Sequence, residues 1–271
     1  MKKNKIKALV LAAALFIFAV LTALDLLPFG KTKYDVVFFG DSLVGNDRHE
    51  SSVTSQLESL SGMSVYNAGI GGTTLTVTGD DVWNRYSMLE LSKCIKNGDF
   101  TECVEAIPGY YIKQNAVLEY ASDTIKGIAD TDYKAVKVIV FEQGISDYLA
   151  GIPIENPDDD HDETTFAGTL NVIIDNLKTG APNAEIIVVS PLFSYTDGNY
   201  SDECNTGYGT LPDYVEAERR VCGKQNVKFI DACSESGIDH DNYEEYMYDG
   251  LHTNEAGNRI LAELINKKLS E

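Results

Sequence analysis

A chain of 271 residues with 44% hydrophobic content is long enough to bury one substantial core, and a single α/β domain of this size is ordinary. Its 42 acidic residues against 22 basic ones give a formal charge of -20, and no basic run follows the N-terminus, so nothing here would track a nucleic-acid backbone. The same charge disfavours polyanionic substrates and leaves neutral ones open.

Lys2, Lys3, Lys5 and Lys7 precede residues 8–24, which carry no charge; this is the pattern of an export segment. The apolar stretch is slightly long for a cleaved signal and just short of the roughly 20 residues of a spanning helix. Leu21-Thr22-Ala23 makes a poor cleavage site, so an uncleaved membrane anchor with the lysines inside is favoured over a processed, secreted form. Residues 1–30 are therefore set apart from a domain spanning residues 31–271.

The domain begins with an uninterrupted run of β-branched and aromatic residues, Val36-Val37-Phe38-Phe39, that stops at Gly40-Asp41-Ser42. A buried parallel strand with that ending delivers a serine to the carboxyl edge of a sheet, where open α/β sheets bind ligands. Asp-Ser is also a common helix-capping pair, and residues 46–60 read as the helix that follows. A short second strand, residues 64–69, runs into Gly69-Ile70-Gly71-Gly72, where missing side chains let main-chain N–H groups approach a ligand or simply let the chain turn.

Residues 80–132 are mixed in pattern, with a helix expected over residues 117–128, and read as an insertion over the sheet edge. They hold Cys94 and Cys103, two of an odd set completed by Cys204, Cys222 and Cys233. A local disulfide between the first two is expected, with the others as structural thiols. No cysteine has metal-ligand spacing, and no metal or cofactor is expected.

A third strand, residues 135–142, ends at Gln143-Gly144-Ile145-Ser146-Asp147, again with glycine and small polar groups. Residues 156–163 are acidic, and their spacing fits a solvated loop rather than a calcium loop of EF-hand type. A helix over residues 166–177, a strand over 184–190, a loop-rich excursion over 191–210, a helix over 213–222 and a short strand over 227–230 follow. Tyr248-Asp249-Gly250-Leu251-His252 then precedes a helix over residues 254–269. In that turn Asp249 and His252 are close enough for the carboxylate to fix the imidazole tautomer, leaving the far nitrogen to take a proton from a serine. In a doubly wound sheet Ser42, the Gly72 amide, Ser146 and the Asp249/His252 turn face one crevice.

From about residue 34 to the C-terminus the chain resembles the SGNH (GDSL-type) hydrolases. Gly40-Asp41-Ser42-Leu43 matches their first motif, Asn67-Ala68-Gly69-Ile70-Gly71-Gly72 resembles the second, and Asp249-Gly250-Leu251-His252 matches the last. The resemblance implies a flavodoxin-like three-layer α/β/α sandwich with a mainly parallel sheet of about five strands. It also implies Ser42 as nucleophile, His252 as general base and then acid, and Asp249 orienting it. The implied oxyanion hole comes from the Ser42 amide, the Gly72 amide and a third donor. Family members usually place asparagine there, in Gly-x-Asn-Asp, whereas this chain reads Gly144-Ile145-Ser146-Asp147. A hydroxyl is shorter than a carboxamide and free to rotate; Ser146 acting directly or through water, Gln143 reaching in, and reduced activity all remain open.

The expected function is an exported serine esterase removing small acyl groups, acetyl foremost, from a small-molecule or carbohydrate ester. A weakly active or non-catalytic glycan-binding module, and an acyltransferase using the same residues, are the alternatives. Oligomeric state is open.

Overall fold

The computed structural model describes residues 31–79, 82–107 and 120–271. The expected export segment, residues 1–30, and the expected helix start at 117–119 lie outside the described residues.

Strand β1 (Val36–Gly40) leads into the single-turn helix α1 (Ser42–Gly45), helix α2 (Val53–Ser61) and strand β2 (Val65–Asn67). A 3₁₀ turn at Val82–Tyr86 precedes helices α3 (Met88–Asn97), α4 (Thr101–Glu105) and α5 (Tyr120–Asp130). Strand β3 (Val138–Glu142), helix α6 (Ile145–Leu149), helix α7 (Phe166–Gly180) and strand β4 (Glu185–Val189) follow. After a small hairpin, β5 (Tyr195–Thr196) and β6 (Asn199–Tyr200), come helix α8 (Leu211–Gln225) and strand β7 (Lys228–Ile230). Helices α9 (Ala232–Glu235), α10 (Tyr243–Tyr246) and α11 (Glu255–Leu269) complete the chain.

The main sheet has five strands in the order β2-β1-β3-β4-β7, all parallel. A parallel sheet needs cover on both faces, which is why its strands read as unbroken apolar runs. Successive side chains point to opposite faces: Val37, Phe39, Ile139, Phe141 and Val188 pack with α3, α5, α7 and α8, while Val36, Phe38, Val138, Val140 and Ile187 pack with α2 and α11. The result is the three-layer α/β/α sandwich expected from the sequence. In the β1–β3 register Gly40 lies opposite Glu142, so the turns that leave these two strands are neighbours at the carboxyl edge.

The helix expected over residues 46–60 starts later, at Val53, and a separate single turn precedes it at Ser42–Gly45. Asp41 caps only one turn, accepting from the Leu43 N–H at 3.1 Å. The chain then bends where Asp47 accepts from the His49 N–H and the Ser51 hydroxyl, and Ser52 caps the new helix α2 by accepting from the Ser55 N–H. The expected Cys94–Cys103 disulfide is also not formed: both residues are thiols, with their sulfurs 3.2 Å apart. A disulfide holds its sulfurs at about 2.05 Å, so this is contact without a bond. The acidic loop is exposed as expected; His161 is held between Asp160 and Asp175, and Asp162 accepts from Thr164 and Asn156. Among the described residues no helix is long and apolar enough to cross a membrane.

Candidate active site

At the carboxyl edge of the sheet the serine, histidine and aspartate that are far apart in sequence form one hydrogen-bonded line. The Ser42 Oγ lies 2.8 Å from His252 Nε2, and His252 Nδ1 lies 2.8 Å from Asp249 Oδ2. Both ends have local causes. Ser42 is the first residue of α1, so the turn that Asp41 caps aims its hydroxyl out of the sheet edge. Gly250, at φ 81°, lets the terminal turn double back against the Tyr195 carbonyl, and the Asp249 Oδ1 accepts from the Leu251 and His252 N–H groups. Asn254 then starts α11 by accepting from the Ala256 and Gly257 N–H groups, which fixes the chain just past the imidazole.

Burial works against the Asp249 carboxylate, but the His252 main-chain N–H, the His252 ring and the Leu251 N–H outweigh it and hold the group below the ordinary carboxylate range. It therefore stays anionic and able to stabilise an imidazolium. Asp41, fully buried behind the serine, is pushed up to about 6 by burial, against the opposing pull of the Leu43 N–H and His252.

The second motif passes directly beside the serine. A methyl group on Gly71 would lie 3.5 Å from the Ser42 Cβ, 2.8 Å from the Asn46 Oδ1 and 3.2 Å from the Tyr120 hydroxyl, so the backbone comes as close as it does because there is no side chain. The next residue, Gly72, turns with φ 76°, and its N–H meets no acceptor among the described residues. Four groups hold this loop. Arg48 donates to the carbonyls of Gly45, Asn67 and Gly69. Tyr120, from the insertion, accepts from the Gly71 N–H at 3.1 Å, donates to Asn46 at 3.1 Å, and lies over the Arg48 guanidinium at 4.3 Å. Gln143 donates to the Thr73 hydroxyl, which itself donates to the Ile70 carbonyl. Asp147, completely buried, accepts from the Leu75 N–H, the Thr76 N–H and the Thr76 hydroxyl.

These contacts sort the third-motif residues. Gln143 is 3% exposed and its amide is committed to Thr73, so it does not face the cleft. Ser146, in the first turn of α6 after Gly144 (φ 131°), is half-exposed and its hydroxyl has no hydrogen-bond partner among the described residues. Sequence reading missed Arg48, Tyr120 and Asp147 as supports. Asp147 was legible only as the residue after Ser146, while Arg48 and Tyr120 carried no signal beyond being polar in a loop and aromatic in an insertion. In the acidic loop Asp159, Asp160 and His161 offer atoms within 4.8 Å of one another, all exposed.

The fold is thus a parallel α/β/α sandwich whose strand ends bring a serine, an imidazole and a carboxylate together beside a glycine-lined backbone loop. The chain belongs to the GDSL-like lipase/acylhydrolase family, whose family model matches residues 36–265. Solved structures agree on the fold. A protein from Lactobacillus plantarum is 18% identical, with a TM-score of 0.61 over 88% of this chain and 98% of its own. A possible lipase from Chitinophaga pinensis is 16% identical, with a TM-score of 0.57 over 88% and 98%. Est24, a carbohydrate acetylesterase from Sinorhizobium meliloti, is 13% identical, with a TM-score of 0.54 over 89% and 99%. No curated protein matches the chain in sequence.

Proposed function

We propose that this hydrolase is a serine esterase that removes small acyl groups, acetyl foremost, with carbohydrate esters as its substrate class. The observation that carries the reading is the 2.8 Å contact between the Ser42 Oγ and His252 Nε2. A serine hydroxyl is a weak nucleophile until an adjacent base takes its proton, and His252 stands where that base must stand. In the first half-reaction the Ser42 Oγ adds to the ester carbonyl while its proton passes to Nε2. The developing imidazolium is stabilised by Asp249 through Nδ1–H. The oxyanion draws on the Ser42 and Gly72 N–H groups, with Ser146 as the third donor. Collapse expels the alcohol with the proton from Nε2, leaving an acyl-Ser42; water activated by the same nitrogen then releases the acid.

Retention of the complete Ser42–His252–Asp249 line favours chemistry over a module that only binds glycans, because binding needs no activated hydroxyl. The carbohydrate assignment is supported by fold likeness to a carbohydrate acetylesterase and by the export signature of residues 1–24. Residues 1–30 anchor the domain of residues 31–271 to the outer face of a membrane; cell fractionation tests this, and recovery only from medium with a processed N-terminus would refute it.

The direct test is hydrolysis of a short-chain aryl acetate by the full-length chain beside Ser42→Ala. Wild-type turnover with background rates in the variant is expected. Equal background rates in both sink the esterase and leave the glycan-binding module. Acyl transfer to an added sugar at the expense of free acetate would reassign the same residues to a transferase.

A further inference from the structure

We propose that Cys94 and Cys103 are a disulfide site, closed by thiol–disulfide exchange with a small-molecule disulfide, that locks the insertion beside the active site. The two sulfurs are already in contact at 3.2 Å across the α3–α4 junction, whereas no other cysteine sulfur among the described residues has a sulfur partner. Bond formation asks for a movement of about 1 Å, since a disulfide holds its sulfurs at about 2.05 Å. The elements around the pair hold the thiols in place. Cys103 also donates to the Arg85 carbonyl, the Tyr86 hydroxyl donates to the Cys103 carbonyl, and Arg85 pairs with Glu102. Gly98, at φ 68°, ends α3 in the left-handed region, and α4 begins three residues later at Thr101.

The exchange balances without further reactants. One thiol of the pair, as its thiolate, attacks one sulfur of the oxidant and expels one thiol, giving a mixed disulfide. The other cysteine then attacks the protein sulfur of that mixed disulfide and expels the second thiol, which takes up the attacking cysteine's proton. Two protein S–H groups are lost, one S–S bond is made, and the oxidant's disulfide is reduced to two thiols.

The bond would tie α4 to α3. Helix α3 packs on α7 in the core, and α4 packs on α5, whose first residue, Tyr120, touches the glycine loop. A covalent link there closes a short loop of the insertion onto the core side of the molecule and removes freedom from the unfolded chain.

The test treats the full-length chain with oxidised glutathione, then counts thiols by alkylation in denaturant and maps the peptides by mass. The count should fall from five to three, with the peptides carrying Cys94 and Cys103 joined and two hydrogens lighter. Thermal unfolding should shift up by several degrees and return on reduction. Cys94→Ser, at the less buried position, should keep four thiols before and after treatment and lose the thermal shift. Five free thiols after oxidation, or a bond involving Cys204, Cys222 or Cys233 instead, overturns the proposal. Because none of these readouts needs ester hydrolysis, the outcome stands apart from that of the aryl acetate assay.

Discussion

His252 Nε2 and the Ser42 Oγ meet at 2.8 Å although 210 residues separate them in the chain. Each is delivered by a short turn rather than by the body of a helix, the serine by the Asp41-capped turn after β1 and the histidine by the Gly250 turn before α11. The contact thus depends on two adjacent pieces of backbone geometry, and side-chain changes at either end should leave the sandwich intact. Ser42→Ala should fold normally and lose aryl acetate turnover to background. Asp249→Asn should keep the imidazole nearby but remove the anion that orients it, lowering kcat by about 100-fold or more. Comparable activity in wild type and Asp249→Asn would remove the carboxylate from the relay.

Ser146, the third donor in the proposed mechanism, is its weak point. Loss of one such donor costs on the order of 100- to 1,000-fold in kcat in acyl-transfer enzymes. Ser146 is partly exposed, its hydroxyl has no hydrogen-bond partner among the described residues, and its helix starts at a glycine whose φ is 131°. Ser146→Asn restores a longer, planar donor on that same turn, so kcat should be retained or should rise, with KM little changed. A fall of tenfold or more would mean that the hydroxyl is already well placed and that the carboxamide crowds the substrate.

Tyr120 braces the loop that carries Gly72. Its hydroxyl joins the Gly71 N–H to the Asn46 carboxamide while its ring covers Arg48, which holds three further carbonyls of the same region. Tyr120→Phe keeps the ring contact and removes both hydrogen bonds, worth about 1 kcal/mol each. A kcat reduction of about 10-fold is expected, equivalent to about 1.4 kcal/mol in the barrier, with KM within twofold of wild type. If kcat holds while only thermal stability drops, the tyrosine supports the fold and not the oxyanion geometry.

What was legible in the sequence was whatever repeats or stops abruptly. The strands stood out because both faces of a parallel sheet are covered, so Val36 to Phe39 and Val138 to Phe141 read as unbroken apolar runs. The site residues stood out because those runs end in glycine and small polar groups. The late start of α2 was written in Asp47, Ser51 and Ser52, but a helical reading of residues 46–60 absorbs them as ordinary polar positions. The supports were hidden for a different reason. Arg48, Tyr120 and Asp147 act on main-chain groups brought close only by the fold, and main-chain partners leave no residue-type pattern to find. The β5–β6 hairpin is too short to show alternation.

Four buried acids make stability depend on pH in an unusual direction. Glu142, at the end of β3, is fully buried with neither carboxyl oxygen hydrogen-bonded among the described residues, and burial followed by repulsion from Asp41 drives its carboxyl well above the ordinary range. Glu218 on α8 is in the same position, through burial and then Glu142. Asp41 is pushed up to about 6, and burial raises Asp147 against the pull of its Thr76 and Leu75 donors. In the unfolded chain these groups ionise at the ordinary carboxyl values of about 4, so above that range the folded protein holds more protons than the unfolded one. Stability contributed by the protonated acids is complete below those values and is lost as pH rises through the raised folded values. The partly exposed Asp249, whose carboxyl is lowered, contributes with the opposite sign at more acid pH. Melting temperature should therefore fall between pH 5 and pH 8. Glu142→Gln, which cannot ionise and keeps the shape, should flatten that slope and raise the melting temperature at pH 8 by about 3 °C, the shift that about 1 kcal/mol makes in a chain of this size. Thermal scans of both proteins across this range decide the matter: parallel curves would show that Glu142 is not paying to stay protonated.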